Sequence, residues 1–399
     1  MEAFGKANWG ESSAGGTGNQ AKCIAILLQG LNPNTTQPSD NGTYLNCTTE
    51  SNVTPFVYTF GTMFFAYLTP IIIIIGLIGN SISLNVFTSK HMRKQSASYY
   101  LAALSMTDIL VLVTSVMFDW VKRGLPELPG EIRIPYFDVN GVCHVFLYLS
   151  YVSRFLSVWL LVMFTCERYI GVCHPLKRRK ICTISSARRI IGAIVLFAMA
   201  LGSYKPALSG VYEVFPDTFR CTRNREYQLL SFILDSIFGL LITLVPLLTI
   251  LVLNMLIVRK LFLRNRSQRM NGMCKTENKI RIEFTVILLS ISTCFVTLNL
   301  PYFIVWFYQW FFSREQNRGM DDRLLEKAER LVPYGVVSGA LLIVRPIFYV
   351  NYCINFFLYS ITGAFFRKEM KKVFTYKFHR NSDNRLSKSM TSQSPQSWV

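Results

Sequence analysis

The chain reads as an all-α membrane protein, a seven-transmembrane helix bundle with an amphipathic eighth helix. Three observations predict this. Hydrophobic residues make up 51% of 399 positions, with 30 Phe and a mean hydropathy of +0.30. They gather in seven long apolar stretches, and a bilayer core takes about 20 mostly apolar residues per spanning helix. Basic residues crowd the loops of one side, as cytoplasmic loops do.

Charged or proline-bearing breaks set the spans near Thr62–Thr88, Ser98–Trp120, Gly141–Ile170, Ile190–Leu208, Leu229–Val258, Ile282–Phe311 and Val336–Ile361. An odd number puts the termini on opposite faces. The loops after the first, third and fifth spans, with the tail, hold well over half of the 42 Lys and Arg. These are Lys90, Arg93 and Lys94, the runs from Arg168 to Arg189 and from Arg259 to Arg281, and Arg367 to Lys388. The opposite loops mix their bases with acids such as Glu127, Asp138, Glu213 and Asp321. The N-terminus is therefore expected outside the cell, with the chain in the plasma membrane. The formal charge of +19 then lies against the anionic lipids of the inner leaflet. No basic face belongs to a soluble domain, which argues against nucleic acid as a partner.

Residues 1–61 are rich in Gly, Ser, Thr and Asn and carry glycosylation sequons at Asn34, Asn41, Asn46 and Asn52. They read as a glycosylated, disordered outer tail. Asn265 is a further sequon in a predicted cytoplasmic loop, where glycosylation does not occur. Residues 62–361 form the spanning domain, and residues 362–399 an inner helix and tail. Ten cysteines make no disulfide-rich pattern. Cys143 and Cys221 fall on the oxidising side. Cys23 and Cys47 either pair or stay free, and Cys166, Cys173, Cys182, Cys274, Cys294 and Cys353 are expected to be reduced.

Polar groups at membrane depth are costly, so they usually face the bundle interior and carry function. Asn80, Asp108, Ser157, Asn299, Asn351 and Asn355 are such groups, and one carboxylate among hydroxyl and amide oxygens suits a hard cation. A hydrogen-bonded network with water is the alternative. Asp119, Arg154, Asp235 and Arg345 are charged and lie in the outer half. Asp119 is eleven residues beyond Asp108, about three turns higher and about 20° off the same face of an ideal helix. Arg154 and Arg345 either neutralise Asp119 and Asp235 internally or meet a ligand. Pro246 and Pro301 permit kinks in the fifth and sixth spans.

Glu167-Arg168-Tyr169 at the inner end of the third span, Leu104-Ser105-Met106-Thr107-Asp108 in the second, and Asn355-Phe356-Phe357-Leu358-Tyr359 in the seventh carry a resemblance. Over about Thr62 to Phe374 the chain resembles a rhodopsin-like (class A) G-protein-coupled receptor. The resemblance implies a Cys143–Cys221 disulfide, and a sodium ion, the only cofactor-like group expected, at Asp108, Ser157, Asn351 and Asn355. It implies connector packing of Pro246, Val158 and Phe295. Glu167, Arg168, Tyr169, Pro246, Phe295, Pro301, Asn355 and Tyr359 become the transducing set, with a heterotrimeric G protein docking at Arg168. The chain departs from the family pattern at Leu298-Asn299-Leu300-Pro301, where Cys-Trp-x-Pro is usual, at Phe356, which replaces a proline, and at Arg281, where an acid often holds Arg168.

The same resemblance places a ligand pocket in the outer half, formed by Asp119, Tyr151, Arg154, Asp235, Tyr302, Trp306 and Arg345. Ser150 stands where amine receptors need an aspartate. Lys90-His91-Met92-Arg93 and Tyr100-Leu101-Ala102-Ala103-Leu104 look similar to neuropeptide receptors of the thyrotropin-releasing-hormone and FMRFamide kind. Charges of both signs among aromatic rings suit a short extracellular peptide with basic or amidated and aromatic ends. A small carboxylate held by Arg154 is the alternative ligand. A transporter or channel lined by Asp108, Arg154, Asp235 and Arg345 is the alternative class, although no repeat relates the two halves. Four scattered histidines and the lack of a nucleophile or phosphate-loop motif argue against an enzyme.

From Ala364 to Phe378, Phe365, Phe366, Met370, Val373 and Phe374 alternate with Arg367, Lys368, Lys371 and Lys372, the pattern of an interfacial helix. Ser382, Ser387, Ser389, Thr391, Ser392, Ser394 and Ser397 offer phosphorylation sites for arrestin recruitment. Ser397-Trp398-Val399 fits a carboxylate-capturing PDZ domain.

Overall fold

The structure, a computed structural model, describes residues 37–38, 44–45 and 56–375 apart from 131, 216–217, 225, 272–276 and 319–330. Seven of its helices are long and apolar enough to cross a membrane: α1 Phe56–Phe87, α2 Ser96–Glu127, α3 Val142–Cys173, α4 Ile184–Leu208, α5 Gln228–Leu263, α6 Glu283–Gln309 and α7 Val336–Thr362. Each overlaps its predicted span. Helices α2 and α4 run a turn or more past theirs, because Lys122, Arg188 and Arg189 are carried on helical turns. Their long stems can reach polar surroundings without breaking the helix. The sequons Asn34, Asn41, Asn46 and Asn52, with Cys23, Cys47, Cys274 and the tail beyond residue 375, lie outside the described residues.

Side chains such as Ile74, Leu196, Leu229, Met255 and Ile304 stand exposed on the bundle's outward faces. Apolar residues therefore occupy both the core and the periphery, as a helix immersed in lipid requires. The α1–α7 seam is closer than side-chain packing allows. A Cβ on Gly61 would sit 2.5 Å from the Gly339 carbonyl oxygen, and one on Gly339 would sit 2.6 Å from that of Val57. Small residues let membrane helices touch through their backbones.

Helices α2, α5 and α7 are irregular, and the irregularities aim the polar groups. Helix α2 contains a wide π turn over Leu112–Val116, although no proline or glycine marks it. Helix α5 breaks at Thr243, between Gln228–Ile242 and Leu244–Asn271. Pro246 has no N–H to give the preceding turn. The Trp159 indole crosses from α3 to donate to the Leu241 carbonyl at 3.1 Å, and the Thr243 hydroxyl donates to Gly239. Trp159 thus gives the Leu241 carbonyl a partner from outside α5, as side chains do where a membrane helix is interrupted. Pro301 lies inside the continuous helix Glu277–Arg318. Helix α7 breaks at Val350, four residues after Pro346.

One segment is not helical. Between α4 and α5 the chain forms an antiparallel hairpin of Ser209–Phe215 and Thr218–Arg223, with Val211 opposite Cys221. Val, Tyr, Phe and Thr dominate it, the residues a pleated surface favours. Cys221 bonds to Cys143 at the first turn of α3, with Cα atoms 5.7 Å apart, so the hairpin is pinned over that end of the bundle. The cysteines 166, 173, 182, 294 and 353 are free. Burial, with Glu167 nearby, pushes the Cys182 thiol above its ordinary range, which keeps it a poor nucleophile. Residues 364–375 are helical and lay Phe366 against Phe87 and Tyr359, ring centroids 5.2 and 5.5 Å away.

Candidate functional site

Three polar layers run through the bundle between the Arg168 end and the disulfide end. At the Arg168 end, Glu167 is buried, pairs with Arg168 at 3.2 Å and accepts the Ser96 hydroxyl. The Arg168 guanidinium lies over Phe164 and Phe284, 5.6 and 5.8 Å from their centroids. Tyr169 packs edge-on against His174. The Tyr359 hydroxyl is buried without a partner among the described residues. The side chain of Arg281 lies outside the described residues. Glu283, on the same end of α6, accepts the backbone N–H of Phe365. The acid nearest that end of α6 thus caps the helix 364–375 rather than holding Arg168. Val158 and Phe295 lie in one buried cluster with Leu247, beside Pro246.

The middle layer centres on Asp108, 1% exposed. Ser157 donates to one carboxylate oxygen at 2.6 Å and Asn355 to the other at 2.8 Å. Asn351 does not join them, because its amide donates to the Phe348 carbonyl at 3.0 Å, across the Val350 break. Asn80 bonds instead to the carbonyls of Gly76 and Tyr352, at 2.9 and 2.6 Å, and so ties α1 to α7. Asn299 donates to the carbonyl of Phe295 at 2.6 Å, and its own carbonyl oxygen has no partner. A cavity of about 20 Å³, room for about one water, is lined by Ser157, Phe295, Asn351 and Asn355 among others.

In the layer near the disulfide end, the charges fall into two closed groups and one open residue. Asp119 accepts Arg345 at 2.8 Å, Arg123 at 2.8 Å and the Tyr349 hydroxyl at 2.6 Å. Asp235 accepts Lys205 at 2.7 Å, the Tyr151 hydroxyl at 2.8 Å and the Tyr204 hydroxyl at 3.2 Å. Arg154 has no carboxylate within 4.0 Å among the described residues; its Nε donates to the Ser150 carbonyl at 3.1 Å. Its guanidinium lies over Tyr151 at 4.8 Å and Phe238 at 5.9 Å. Tyr302 stacks on Phe348 at 4.7 Å, and Trp306 packs on Gly239, where a Cβ would come within 3.0 Å of its ring.

Of the two arginines that either neutralise Asp119 and Asp235 or meet a ligand, Arg345 pairs with Asp119, whereas Arg154 pairs with neither and Lys205 holds Asp235. Lys205 lies inside the fourth apolar stretch, and a lysine there is itself the signal of a buried partner. The 20° offset of Asp119 from Asp108 also fails, because the π turn inserts about one extra residue and rotates everything beyond it. Ser96, Lys205, Glu283 and Tyr349 are site neighbours that residue patterns did not single out.

A family description, 7 transmembrane receptor (rhodopsin family), matches residues 79–359. The chain belongs to this family. The receptor is 25% identical over 335 residues to the FMRFamide receptor of Drosophila melanogaster, covering 77% of this chain and 53% of that one. It is 34% identical over 125 residues to the thyrotropin-releasing hormone receptor of Gallus gallus, 31% of this chain and 29% of that receptor. With neuromedin-U receptor 1 of Rattus norvegicus the identity is 28% over 196 residues, 47% and 44% of the two chains. The receptor therefore spans about half or less of the curated relatives it matches here. It is a multi-pass membrane protein of a receptor family, with the disulfide and both polar ends set on one seven-helix frame.

Proposed function

We propose that this chain is a plasma-membrane receptor, N-terminus outside, which binds a short extracellular peptide near the disulfide end and activates heterotrimeric G proteins at the Arg168 end. The relatives named for FMRFamide, thyrotropin-releasing hormone and neuromedin U support the peptide reading. The observation that carries the reading is Arg168, held among the described residues by its neighbour Glu167 and two rings, at the end of a bundle whose α5 and α6 contain Pro246 and Pro301. A ligand that prefers one arrangement of such helices shifts the population toward it. Swinging α6 about Pro301 would release Glu283 from the Phe365 N–H and open a cleft at Arg168. The helix 364–375 would meet lipid headgroups through Arg367, Lys368, Lys371 and Lys372. Phosphorylation of the tail would recruit arrestin, and Ser397-Trp398-Val399 a PDZ domain.

The residues at Asp108 fit a small monovalent cation: a carboxylate, the Ser157 hydroxyl and a cavity edged by Asn351 and Asn355. Bound there, the cation would supply positive charge against Asp108 and favour the resting bundle. Raising sodium in place of N-methylglucamine should weaken agonist binding, and Asp108→Asn should remove that dependence. A sodium effect unchanged in Asp108→Asn would place the cation elsewhere.

The defining experiment is ligand-stimulated nucleotide exchange in cells expressing this chain, screened against synthetic neuropeptides and then amino acids, with Arg168→Ala beside it. A saturable response lost in Arg168→Ala is expected. A surface-expressed chain that answers nothing, with equal basal exchange in both forms, would overturn the reading and make substrate flux the next measurement.

A further inference from the structure

Among the helices near the disulfide end, one inward cation has no carboxylate partner among the described residues. Within the described helices there, Lys122 is paired with Asp138 at 3.0 Å, Lys205 with Asp235, and Arg345 and Arg123 with Asp119. Arg154 is the cation left over. Its guanidinium carries five N–H donors, and one of them, on Nε, has an acceptor, the Ser150 carbonyl. The other four sit on the two terminal nitrogens, for which the described residues supply no carboxylate. Lys205 and Arg345 are buried, whereas Arg154 keeps partial exposure although it lies deep in the bundle. Its guanidinium lies against the Tyr151 and Phe238 rings, with no carboxylate at its terminal nitrogens among the described residues.

The groups around that guanidinium are suited to a ligand. Tyr151, Tyr302, Tyr349 and Tyr352 all lie within electrostatic range of the guanidinium. Tyr151 and Tyr349 have their hydroxyls committed to Asp235 and Asp119, so they present rings, not competing acceptors. Tyr302 and Phe348 are stacked as a flat face. A guanidinium at membrane depth without a counter-charge is costly when kept from water and from anions. A planar carboxylate offers it two parallel hydrogen bonds. Conversely, a basic group on a ligand would have to displace Lys205 or Arg345 from an acid already satisfied by three partners.

We infer that Arg154 receives a carboxylate of the ligand, and that the peptide answering this receptor bears a free acid, on an Asp or Glu side chain or at its C-terminus, beside an aromatic group. This deepens the peptide-receptor reading and rests on it for the word peptide. The carboxylate contact itself does not depend on G-protein coupling.

The test uses the full chain purified in nanodiscs, with 3-phenylpropionate and its neutral amide as probes and thermal unfolding as the readout. The acid should bind about ten- to a hundredfold more tightly than the amide, the range a charge-assisted pair supports. Arg154→Gln should erase the preference, and Arg154→Lys should retain part of it. Arg154→Gln without probe should unfold at the same temperature as the parent or higher, since it removes a charge that no carboxylate among the described residues neutralises. A fall of several degrees would mean that Arg154 serves the fold and would overturn the inference. So would equal binding of acid and amide, binding of neither, or an acid preference that survives in Arg154→Gln. If acid selectivity holds while no peptide triggers exchange, the carboxylate contact stands and the coupling reading fails. Matched peptides in the exchange screen, free acid against C-terminal amide and glutamate against glutamine, then distinguish the two sources of the carboxylate.

Discussion

Gly339→Leu is expected to abolish surface expression of the receptor, and Gly339→Ala to lower its stability measurably. A Cβ at this position would lie 2.6 Å from the Val57 carbonyl oxygen and 2.7 Å from the backbone of Tyr58. No side chain can rotate away, because the obstacle is the backbone of α1. The reciprocal approach is as tight, since a Cβ on Gly61 would lie 2.5 Å from the Gly339 carbonyl oxygen. Any added atom must push α1 off α7 and forfeit the dispersion contacts along the seam, which in lipid are the main source of helix association. Overpacking typically costs about 1–3 kcal/mol, and the leucine would exceed that because it separates whole helices. Gly192→Ala is the matched control, since a Cβ there meets nothing within 4 Å and helix propensity favours alanine by about 1 kcal/mol. Surface labelling and thermal unfolding in detergent read the outcome. Parental levels and stability in Gly339→Leu would show that the two helices do not approach through these glycines.

That contact was invisible in the chain itself, where Gly61 and Gly339 are two glycines among 23. Apolar stretches announced the seven helices because the bilayer demands length and hydropathy and little else. Cys143, Cys221, Glu167-Arg168-Tyr169 and Asp108 with Ser157 were legible because each is a local pattern or a costly residue at a recognisable depth. Pairing between helices was not. Arg154 and Lys205 are equally plausible partners for Asp235 until α4 is placed, and only then does Lys205 come within 2.7 Å. The family resemblance makes Asn351 a neighbour of Asp108, yet the break at Val350 turns its amide to Phe348. The π turn of α2 has no sequence marker among Leu112, Val113, Thr114, Ser115 and Val116, and it redirects Asp119. The hairpin over the disulfide was missed because a loop search reads charge and hydropathy at helical period, not the two-residue period of a strand. Where the helices deviate from ideal geometry, the polar groups they carry change partners.

Asp119 shows how far such a change of partner reaches. Asp119→Asn is expected to destabilise the receptor by about 3–5 kcal/mol, the cost of stripping one member from a buried pair. The acid lies between Arg345 and Arg123, and the two arginines differ. Arg123 is 43% exposed on its side chain, so water takes over when the acid is gone and little is lost. Arg345 is 9% exposed, and its Nε already lacks a partner. With asparagine at 119 the Arg345 guanidinium would be left charged at membrane depth with only amide and hydroxyl neighbours. Arg345→Gln alone should cost less, because Asp119 keeps Arg123 and the Tyr349 hydroxyl. The double change Asp119→Asn with Arg345→Gln should recover much of the loss, giving a coupling well above the additive expectation. Unfolding of the four forms in detergent closes the cycle. Additive effects, or a cost for Asp119→Asn below about 1 kcal/mol, would mean that the pair is hydrated and does not hold α2 to α7. If the coupling is large, the turn of α2 beyond Leu112–Val116 is held in its rotation by a single carboxylate. The same carboxylate keeps Arg345 from competing with Arg154 for an anionic ligand, so Asp119→Asn should also create a second, weaker acid-binding position.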